Sequence, residues 1–303
     1  MKDWEKVLIG LYYLVCDLYE EDLKWYSQRY SNNTKWLRLS FTDEEAMTVY
    51  LFGVLRKRHQ IKQIHTYAKD HLNSWFPQLP SYQKFNERLN RLAPSIERLA
   101  NRLMLQIEFP TWLLQAQNHL DVAIDSMPII LAQATRADKA KVARSIANKG
   151  YCSTKKLYYH GLKLHHLGLC VPRTLPIPLS FELSRASAHD NRIFKDQIAY
   201  QYRDLRIYAD KIYHDPGARK DLKKFYRIEM MNCLKKDYKQ AHLFADQKLF
   251  NLMISQARQP IESFFNWLEQ KTGIQLASKV RSVKGLFKHV FGRLAAALFA
   301  IIF

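Results

Sequence analysis

The chain has 303 residues, of which 48% are hydrophobic and 25% are charged. This composition excludes a disordered or fibrous protein and provides apolar side chains for one large domain or two modest ones. The 47 Lys and Arg residues outnumber the 28 Asp and Glu residues, which gives a formal net charge of +19. So large an excess argues against a generic cytosolic enzyme. It indicates a polyanionic partner, with DNA or RNA first and an anionic membrane second.

The cysteines and the apolar C terminus do not indicate a secreted or membrane-spanning protein. The four cysteines have no metal-binding spacing, and we expect reduced thiols in a cytosolic protein without a signal peptide. The last ten residues, LAAALFAIIF, are all apolar, whereas a membrane span needs about 20. We therefore expect this run to be the buried end of the last helix, with membrane attachment or a partner contact as the alternatives.

Residues 1–110 are expected to be helical. The sequence TDEE predicts a capping box with Thr42 at the N-cap and Glu45 at the third helical position. After a second helix and the break FPQLPS, Ser81 is expected to cap a third helix, YQKFNERLNRLAPSIERLANRLML. The second helix, IKQIHTYAKDHLNSWF, should bury one face, made of Ile61, Ile64, Ala68, Leu72 and Trp75. Short helices with Lys and Arg on their outer faces favour a helix-turn-helix-like DNA-binding domain, although a plain helical bundle has the same pattern.

An apolar strand with an acid at its centre, LDVAIDSMPII, opens the second part of the chain, residues 111–303. An unpaired carboxylate is costly in such a run, so Asp125 either caps a strand end in contact with solvent or has a positively charged partner. Two further strands are predicted in LYYHGLKLHHLGLC and LPIPLSFELS, and the prolines of the latter indicate an irregular or edge strand. A helix, HDNRIFKDQIAYQY, and a fourth strand, LRIYADKIY, which ends near Asp210, are expected next.

A long late helix, with Pro260 as an expected kink, carries a third acid, Glu262. In an antiparallel three-stranded meander followed by a helix and a parallel fourth strand, the first and fourth strands can be neighbours. Asp125 and Asp210 would then lie side by side, and the late helix could pack over that edge of the sheet. Three converging carboxylates repel one another unless Mg²⁺ or Mn²⁺ compensates them, since oxygen ligands suit these hard cations.

Six segments, in this order, resemble one known family, and they run from about residue 75 to residue 295. They are FPQLPSYQKFNERLNRL, IDSMPI, NKGYCSTKKLYYHGLKLHHL, ASAHDNRIFKD, IYADKIY and RQPIESFFNWLEQKTGIQLASKVRSVKGL. Together they resemble the DDE transposases of bacterial insertion sequences, in particular the insertion sequence nine-eighty-two group. The resemblance implies an α/β fold, a ribonuclease-H-like mixed sheet flanked by helices, over residues 111–303. An all-α DNA-binding region, residues 1–110, would precede it.

The resemblance also implies the chemistry of the site. Asp125, Asp210 and Glu262 would be both the catalytic residues and the metal ligands, with two Mg²⁺ ions as the cofactor and Mn²⁺ as a substitute. Asp204 and Asp215 flank the same strand as Asp210, which is preferred because the apolar run ends there.

The sequence departs from the family beside the third acid. Related transposases often carry a Tyr–Arg–Glu–Lys pattern there. Arg258 stands one helical turn before Glu262, but Ser255 occupies the Tyr position and Glu269, which also competes for the role of the third acid, occupies the Lys position. Lys271 lies nearby, and the roles of these flanking residues are open.

Further residues are expected to support the acids or to bind DNA. His189 and Asp190 either cap a helix or lie behind the acids, or at a DNA end. The adjacent His165 and His166 are expected on opposite faces of their strand, so only one could reach the site. The basic residues expected to bind DNA are Lys139, Lys141, Arg144, Lys149, Lys155, Lys156, Arg258 and Lys271.

These features favour a transposase that cleaves element-end DNA and transfers the freed 3′-hydroxyl into target DNA. Its partners would be double-stranded terminal inverted repeats and target DNA, held by at least a homodimer, without a membrane. It would be a cytoplasmic, nucleoid-associated bacterial protein. The alternatives are a ribonuclease-H-like nuclease or resolvase without strand transfer, a non-catalytic DNA-binding protein derived from a transposase, and a basic peripheral membrane protein.

Overall fold

A computed structural model of the chain describes residues 2–27, 40–109, 119–234 and 242–303. These residues form two compact units. The first unit consists of Met1–Ile107, Lys141–Ala143 and Leu268–Phe303, and the second consists of Glu108–Ala140 and Arg144–Trp267.

The helices and strands follow in chain order. The N-terminal helices are α1 (Asp3–Glu21), α2 (Asp43–Leu55), α3 (Ile61–His71), α4 (Tyr82–Arg91) and α5 (Ala93–Leu105), with a 3₁₀ turn at Leu23–Tyr26. Next come β1 (Leu120–Gln133), α6 (Thr135–Lys139), β2 (Asn148–Cys152), β3 (Leu157–Leu169), β4 (Ile177–Arg185), α7 (Asp190–Ile193) and β5 (Leu205–Ala209). The chain ends with α8 (Pro216–Tyr226), β6 (Glu229–Asn232), α9 (Ala245–Thr272) and α10 (Val283–Ile302), and a 3₁₀ turn at Lys211–Tyr213 precedes α8.

The helix signals of the first unit are confirmed in part. The capping box is present, because the Glu45 amide donates to Thr42 Oγ1 (3.2 Å) and the Thr42 amide donates to Glu45 Oε2 (2.6 Å). Ser81 occupies an N-cap without a side-chain hydrogen bond, and the helix expected to follow it is divided into α4 and α5. Of the face predicted for α3, Ile64, Ala68 and the C-cap residue Leu72 are buried, and Ile61 is half-buried. Trp75, which was expected on the same buried face, lies beyond the end of α3 and is exposed.

The last helix belongs to the first unit. This helix, α10, packs against α2 and α5. The expected division into a DNA-binding region, residues 1–110, and a catalytic region, residues 111–303, stays a prediction. The helix α10 is the only helix of the described segments that is long and apolar enough to cross a membrane, and 78% of its apolar window is buried inside the protein. The expected burial of the C-terminal apolar run is therefore confirmed for residues 294–299.

The second unit is built on a curled mixed sheet. Its strand order is β2–β3–β1–β5–β6, and β4 pairs with the other end of β3. The strands β1, β3 and β4 form the expected antiparallel meander, and β5 lies parallel to β1. The short strands β2 and β6 were not predicted. As expected of a proline-containing edge strand, β4 pairs only with β3 within the described residues, and its register shifts near Pro178.

The two faces of this sheet differ. One face carries the apolar core that α7 and the following turns cover, with Val122, Ile124 and Leu167 packed on Phe194 and Ile198. Because side chains alternate along a strand, Asp125 and its cross-strand neighbour point to the other face, which α9 covers. This mixed α/β arrangement agrees with a ribonuclease-H-like core.

Candidate active site

Asp125 lies where β1 loses one of its two neighbours. The register pairs Ala123 of β1 with Tyr208 of β5, and β5 ends one residue later, at Ala209. From Asp125 onward, the described part of β1 is therefore paired only with β3. The Ser126 amide donates to Asp125 Oδ1 (2.8 Å). An acid in the middle of this apolar strand is thus placed at an open edge.

Asp210 immediately follows β5. Continuing the register by two residues sets it beside Asp125, on strands about 4.8 Å apart. Its Oδ1 accepts from the Lys211 amide (2.7 Å), so Asp210 caps the 3₁₀ turn, and its backbone carbonyl accepts from Asn232 Nδ2 (3.0 Å). The side-by-side arrangement that the sequence suggested for the two strands is thus present.

The competing acids have other partners. Asp204, before β5, pairs with Arg227 (2.6 Å) at the far end of the strand. Asp215 caps α8 and accepts from Lys195 (2.7 Å), which, with the helix amides, lowers its pKa to about 2. Glu269 accepts from the Gln275 amide (2.8 Å) after the end of α9.

Arg258 joins the first and third acids. Its Nη2 donates to Asp125 Oδ2 (3.2 Å) and lies 3.9 Å from Glu262 Oε1, one turn further along α9. The Arg258 side chain is 11% exposed, whereas that of Glu262 is 64% exposed. A guanidinium therefore supplies the positive charge that the apolar strand requires next to Asp125. The sequence analysis predicted that Arg258 binds DNA, and in the structure its guanidinium faces the acids.

The pKa of Asp125 is raised to about 6. Burial is the main cause, and Glu262 and Asp190 add to it, while Arg258 and the Ser126 amide oppose it. The direction agrees with the expectation that a carboxylate of this site is destabilised without metal. The principal cause is removal from water rather than repulsion between the acids.

The donor chemistry of the site fits a hard divalent cation, because its three acids offer only oxygen ligands and Asp125 is only partly compensated by Arg258. However, no group of three or more His, Cys, Asp or Glu side chains within the described residues is close enough to hold a metal ion. The carboxylates of Asp125, Asp210 and Glu262 were expected to converge, and in this structure they do not. Glu262 is largely in solvent, and Asp210 is turned to its own capping bond.

Asp190 supports the strand from the opposite side. It is buried, and it accepts from Lys163 Nζ (2.7 Å) and Ser126 Oγ (3.2 Å). His189 is exposed at the N-cap of α7 and makes no side-chain capping bond within the described residues. The sequence singled out the acid but missed its partner Lys163, whose single charge within a mostly apolar strand was the available signal.

The adjacent histidines point to opposite faces, as expected. His166 stands opposite Asp125 on β3 and is stacked on Phe181 (4.6 Å between ring centroids), with Phe264 of α9 also in contact. Burial lowers the pKa of both His165 and His166 to about 4, so each is neutral at physiological pH. They behave as core residues of the two faces.

The remaining basic residues that the sequence marked for DNA binding are all exposed. Arg144 Nε donates to the carbonyl of Ala140 (3.0 Å), and Lys149 pairs with Asp138. The exposed set consists of Lys139, Lys141, Arg144, Lys149, Lys155, Lys156 and Lys271. Their placement leaves them open to a large anionic partner.

Comparison with known proteins identifies the family. No curated protein and no solved structure matches the chain. A family model described as the transposase DDE domain matches residues 117–299, which is more than half of the chain and includes all three acids. The chain therefore belongs to the transposase DDE domain family.

Proposed function

We propose that this protein is a metal-dependent transposase that cleaves the DNA ends of an insertion sequence of the nine-eighty-two group and joins them to target DNA. The family supports a nuclease and strand-transfer activity in general. The observation that carries the finer proposal is the placement of Asp125 beside Asp210, at the open edge of β1, with Glu262 linked to Asp125 through Arg258.

The catalytic metal, which we propose to be Mg²⁺, would be held by Asp125, Asp210 and Glu262. When bound, it would supply Lewis-acid stabilisation of charge on the attacking and leaving oxygens of the phosphodiester. The chain's own groups orient the site. The Ser126 amide holds the Asp125 carboxylate, and the Asn232 side chain holds the backbone carbonyl of Asp210. The Lys163–Asp190 pair supports β1 from the opposite face of the sheet. Water would attack first, freeing a 3′-hydroxyl that attacks target DNA next.

The charge distribution supports DNA as the partner. A net charge of +19 and the exposed basic residues of the second unit suit phosphate contacts whose strength falls with salt. We propose that the helices of residues 1–110 recognise the terminal inverted repeats, that two ends are held by at least a dimer, and that the protein acts in the bacterial cytoplasm on the nucleoid.

The test uses duplexes carrying the sequences that flank the coding region. With Mg²⁺, the wild-type protein should nick the element end, and it should join a pre-cleaved end to plasmid DNA. Asp210→Asn should abolish both reactions while duplex binding remains. Asp204→Asn, at the other end of the same strand, is the matched control and should retain both.

The outcomes separate the candidate functions. Cleavage without joining would identify a nuclease or resolvase, and duplex binding without either reaction would identify a non-catalytic descendant. Cleavage that persists in EDTA, or that requires Zn²⁺, would contradict the carboxylate site.

A further inference from the structure

The hairpin formed by β2 and β3 exposes two paired tyrosines. Tyr151 and Tyr158 are cross-strand neighbours, with ring centroids 4.9 Å apart, and they are 50% and 55% exposed. Lys149 Nζ lies 4.7 Å from the centre of the Tyr158 ring and also pairs with Asp138. Lys155 and Lys156, in the turn of the hairpin, are exposed. Two large rings are thus held in solvent within a basic surface.

This pair lies on the face of the sheet that carries Asp125. Asp125 stands opposite His166 on β3, and residues at even positions from 158 to 166 share one face of this strand. Lys149 and Tyr151 face the same side, because they stand opposite His160 and Tyr158. Eight residues separate positions 158 and 166, so the tyrosines lie about 27 Å from the acid along the sheet.

We infer that Tyr151, Tyr158 and Lys149, the hairpin platform, bind unpaired bases of a DNA strand that leads to Asp125. Exposed aromatic rings stack on the faces of bases without requiring a particular sequence, and neighbouring lysines attract the phosphates between them. Duplex DNA stacks its bases internally and cannot offer their faces to the rings, so single-stranded DNA is the form that this surface selects. The inference rests on the proposed function, because cleavage at an element end is what would supply an unpaired strand.

The test measures binding of the full chain to fluorescent oligothymidine and to a duplex of the same length, in EDTA. Replacing both tyrosines, Tyr151→Ala with Tyr158→Ala, should weaken oligothymidine binding about tenfold or more. The duplex affinity should change less than threefold. The corresponding Phe variants should bind oligothymidine normally, because stacking requires the ring and not the hydroxyl.

A matched control is available in the same unit. Tyr200 is 51% exposed, its ring centroid is 5.1 Å from that of Tyr226, and Arg203 lies over the latter ring. Tyr226, however, packs against the apolar core. Tyr200→Ala therefore removes an exposed, paired tyrosine from another element, and it should leave oligothymidine binding unchanged.

A second measurement does not depend on the stability of the alanine variants. Photo-crosslinking of the wild-type protein to oligothymidine that contains 5-iodouracil should label the peptides of Tyr151 or Tyr158. Oligothymidine affinity within twofold of wild type in the double alanine variant would overturn the inference. The inference would also be overturned if the double alanine variant lost as much affinity for the duplex as for oligothymidine, or if Tyr200→Ala lost as much oligothymidine affinity as that variant. Crosslinks found only outside the peptides of Tyr151 and Tyr158 would overturn it as well. If the wild-type chain binds neither oligothymidine nor the duplex, the proposed function fails as well. If the wild-type chain cleaves element ends and the double alanine variant binds oligothymidine normally, only the inference about the hairpin platform is rejected.

Discussion

Asp125→Asn should stabilise the metal-free protein although it removes a catalytic group. Burial raises the pKa of Asp125 from 3.8 to about 6, so the folded state binds more protons than the unfolded state between these two pH values. The free energy of unfolding therefore falls as the pH rises through this window, and it stays lower above pH 6. The shift corresponds to about 3 kcal/mol at neutral pH.

The Ser126 amide and Arg258 donate to different oxygens of Asp125, so the single acceptor oxygen of asparagine can keep only one of these two hydrogen bonds. The attraction between the carboxylate and the guanidinium is already included in the shifted pKa, so it is the lost hydrogen bond that offsets part of the gain. We expect a net stabilisation of about 1 to 2 kcal/mol at pH 7.5, and little or none at pH 4, where the wild-type carboxyl is protonated in the folded state.

The assay is thermal unfolding in EDTA at the two pH values, followed by titration with Mg²⁺ at pH 7.5. The variant should melt above the wild type at pH 7.5 only, and Mg²⁺ should raise the melting temperature of the wild type more than that of the variant. Asp204→Asn, which alters an exposed ion pair, is the control. A variant that melts at or below the wild-type temperature in EDTA at pH 7.5 would refute the reasoning.

Three other perturbations test the cation beside Asp125, a buried lysine and the basic surface. Arg258→Met removes a cation 3.2 Å from Asp125 and should tighten Mn²⁺ binding in calorimetry by about tenfold, whereas Arg227→Met should not change it. Lys288 is buried on α10, where its Nζ donates to Asn86 Oδ1 (3.0 Å), and burial lowers its pKa to about 7. The free energy of unfolding should therefore rise with pH from 7 towards 10.5, and Lys288→Met should raise the melting temperature at pH 6 more than at pH 9. Replacing three exposed basic residues by Gln should flatten the slope of log affinity against log salt by roughly 0.9 per lost contact, and an unchanged slope would mean that they form a solvated face. These residues are Lys139, Lys141 and Arg144.

Local signals in the sequence predicted much of the fold. Three local patterns are present in the structure as predicted, because each depends only on neighbouring residues. They are the capping box at Thr42, the opposite orientation of the adjacent His165 and His166 on β3, and the apolar runs of β1 and β5. The order of the strands also predicted that β1 and β5 are neighbours. That pairing predicted that Asp125 and Asp210 lie side by side.

Other features depended on distant contacts. The segment HDNRIFKDQIAYQY was expected to be one helix, but it forms the short α7 followed by π and 3₁₀ turns, whose residues Phe194 and Ile198 fill the core under the sheet. The placement of α10 against α2 and α5 could not be inferred either, because an apolar helix can cover any apolar surface. Tertiary packing, rather than local preference, decides these cases.

In the site, too, the contact between neighbouring residues could be predicted from the sequence, and the contact between distant residues could not. The spacing of Arg258 and Glu262 places them one turn apart on a helix, so their proximity was readable from the sequence. The reach of Arg258 to Asp125, 133 residues away, depends on how α9 lies over the sheet. An acid in an apolar strand indicates only that a positive charge must be near, and a guanidinium and a divalent cation meet that need equally.

The site itself follows from the unequal lengths of two neighbouring strands. β1 has 14 residues and β5 has 5, so the pairing between them stops just before Asp125. Had β5 continued, Asp125 would be paired on both sides within the sheet, and Asp210 would lie inside a strand instead of capping a turn at its end. The early end of β5 therefore opens one edge of β1 at the position where the two acids are adjacent. A sequence change that extends β5 past Ala209 would close this edge without altering any of the acids.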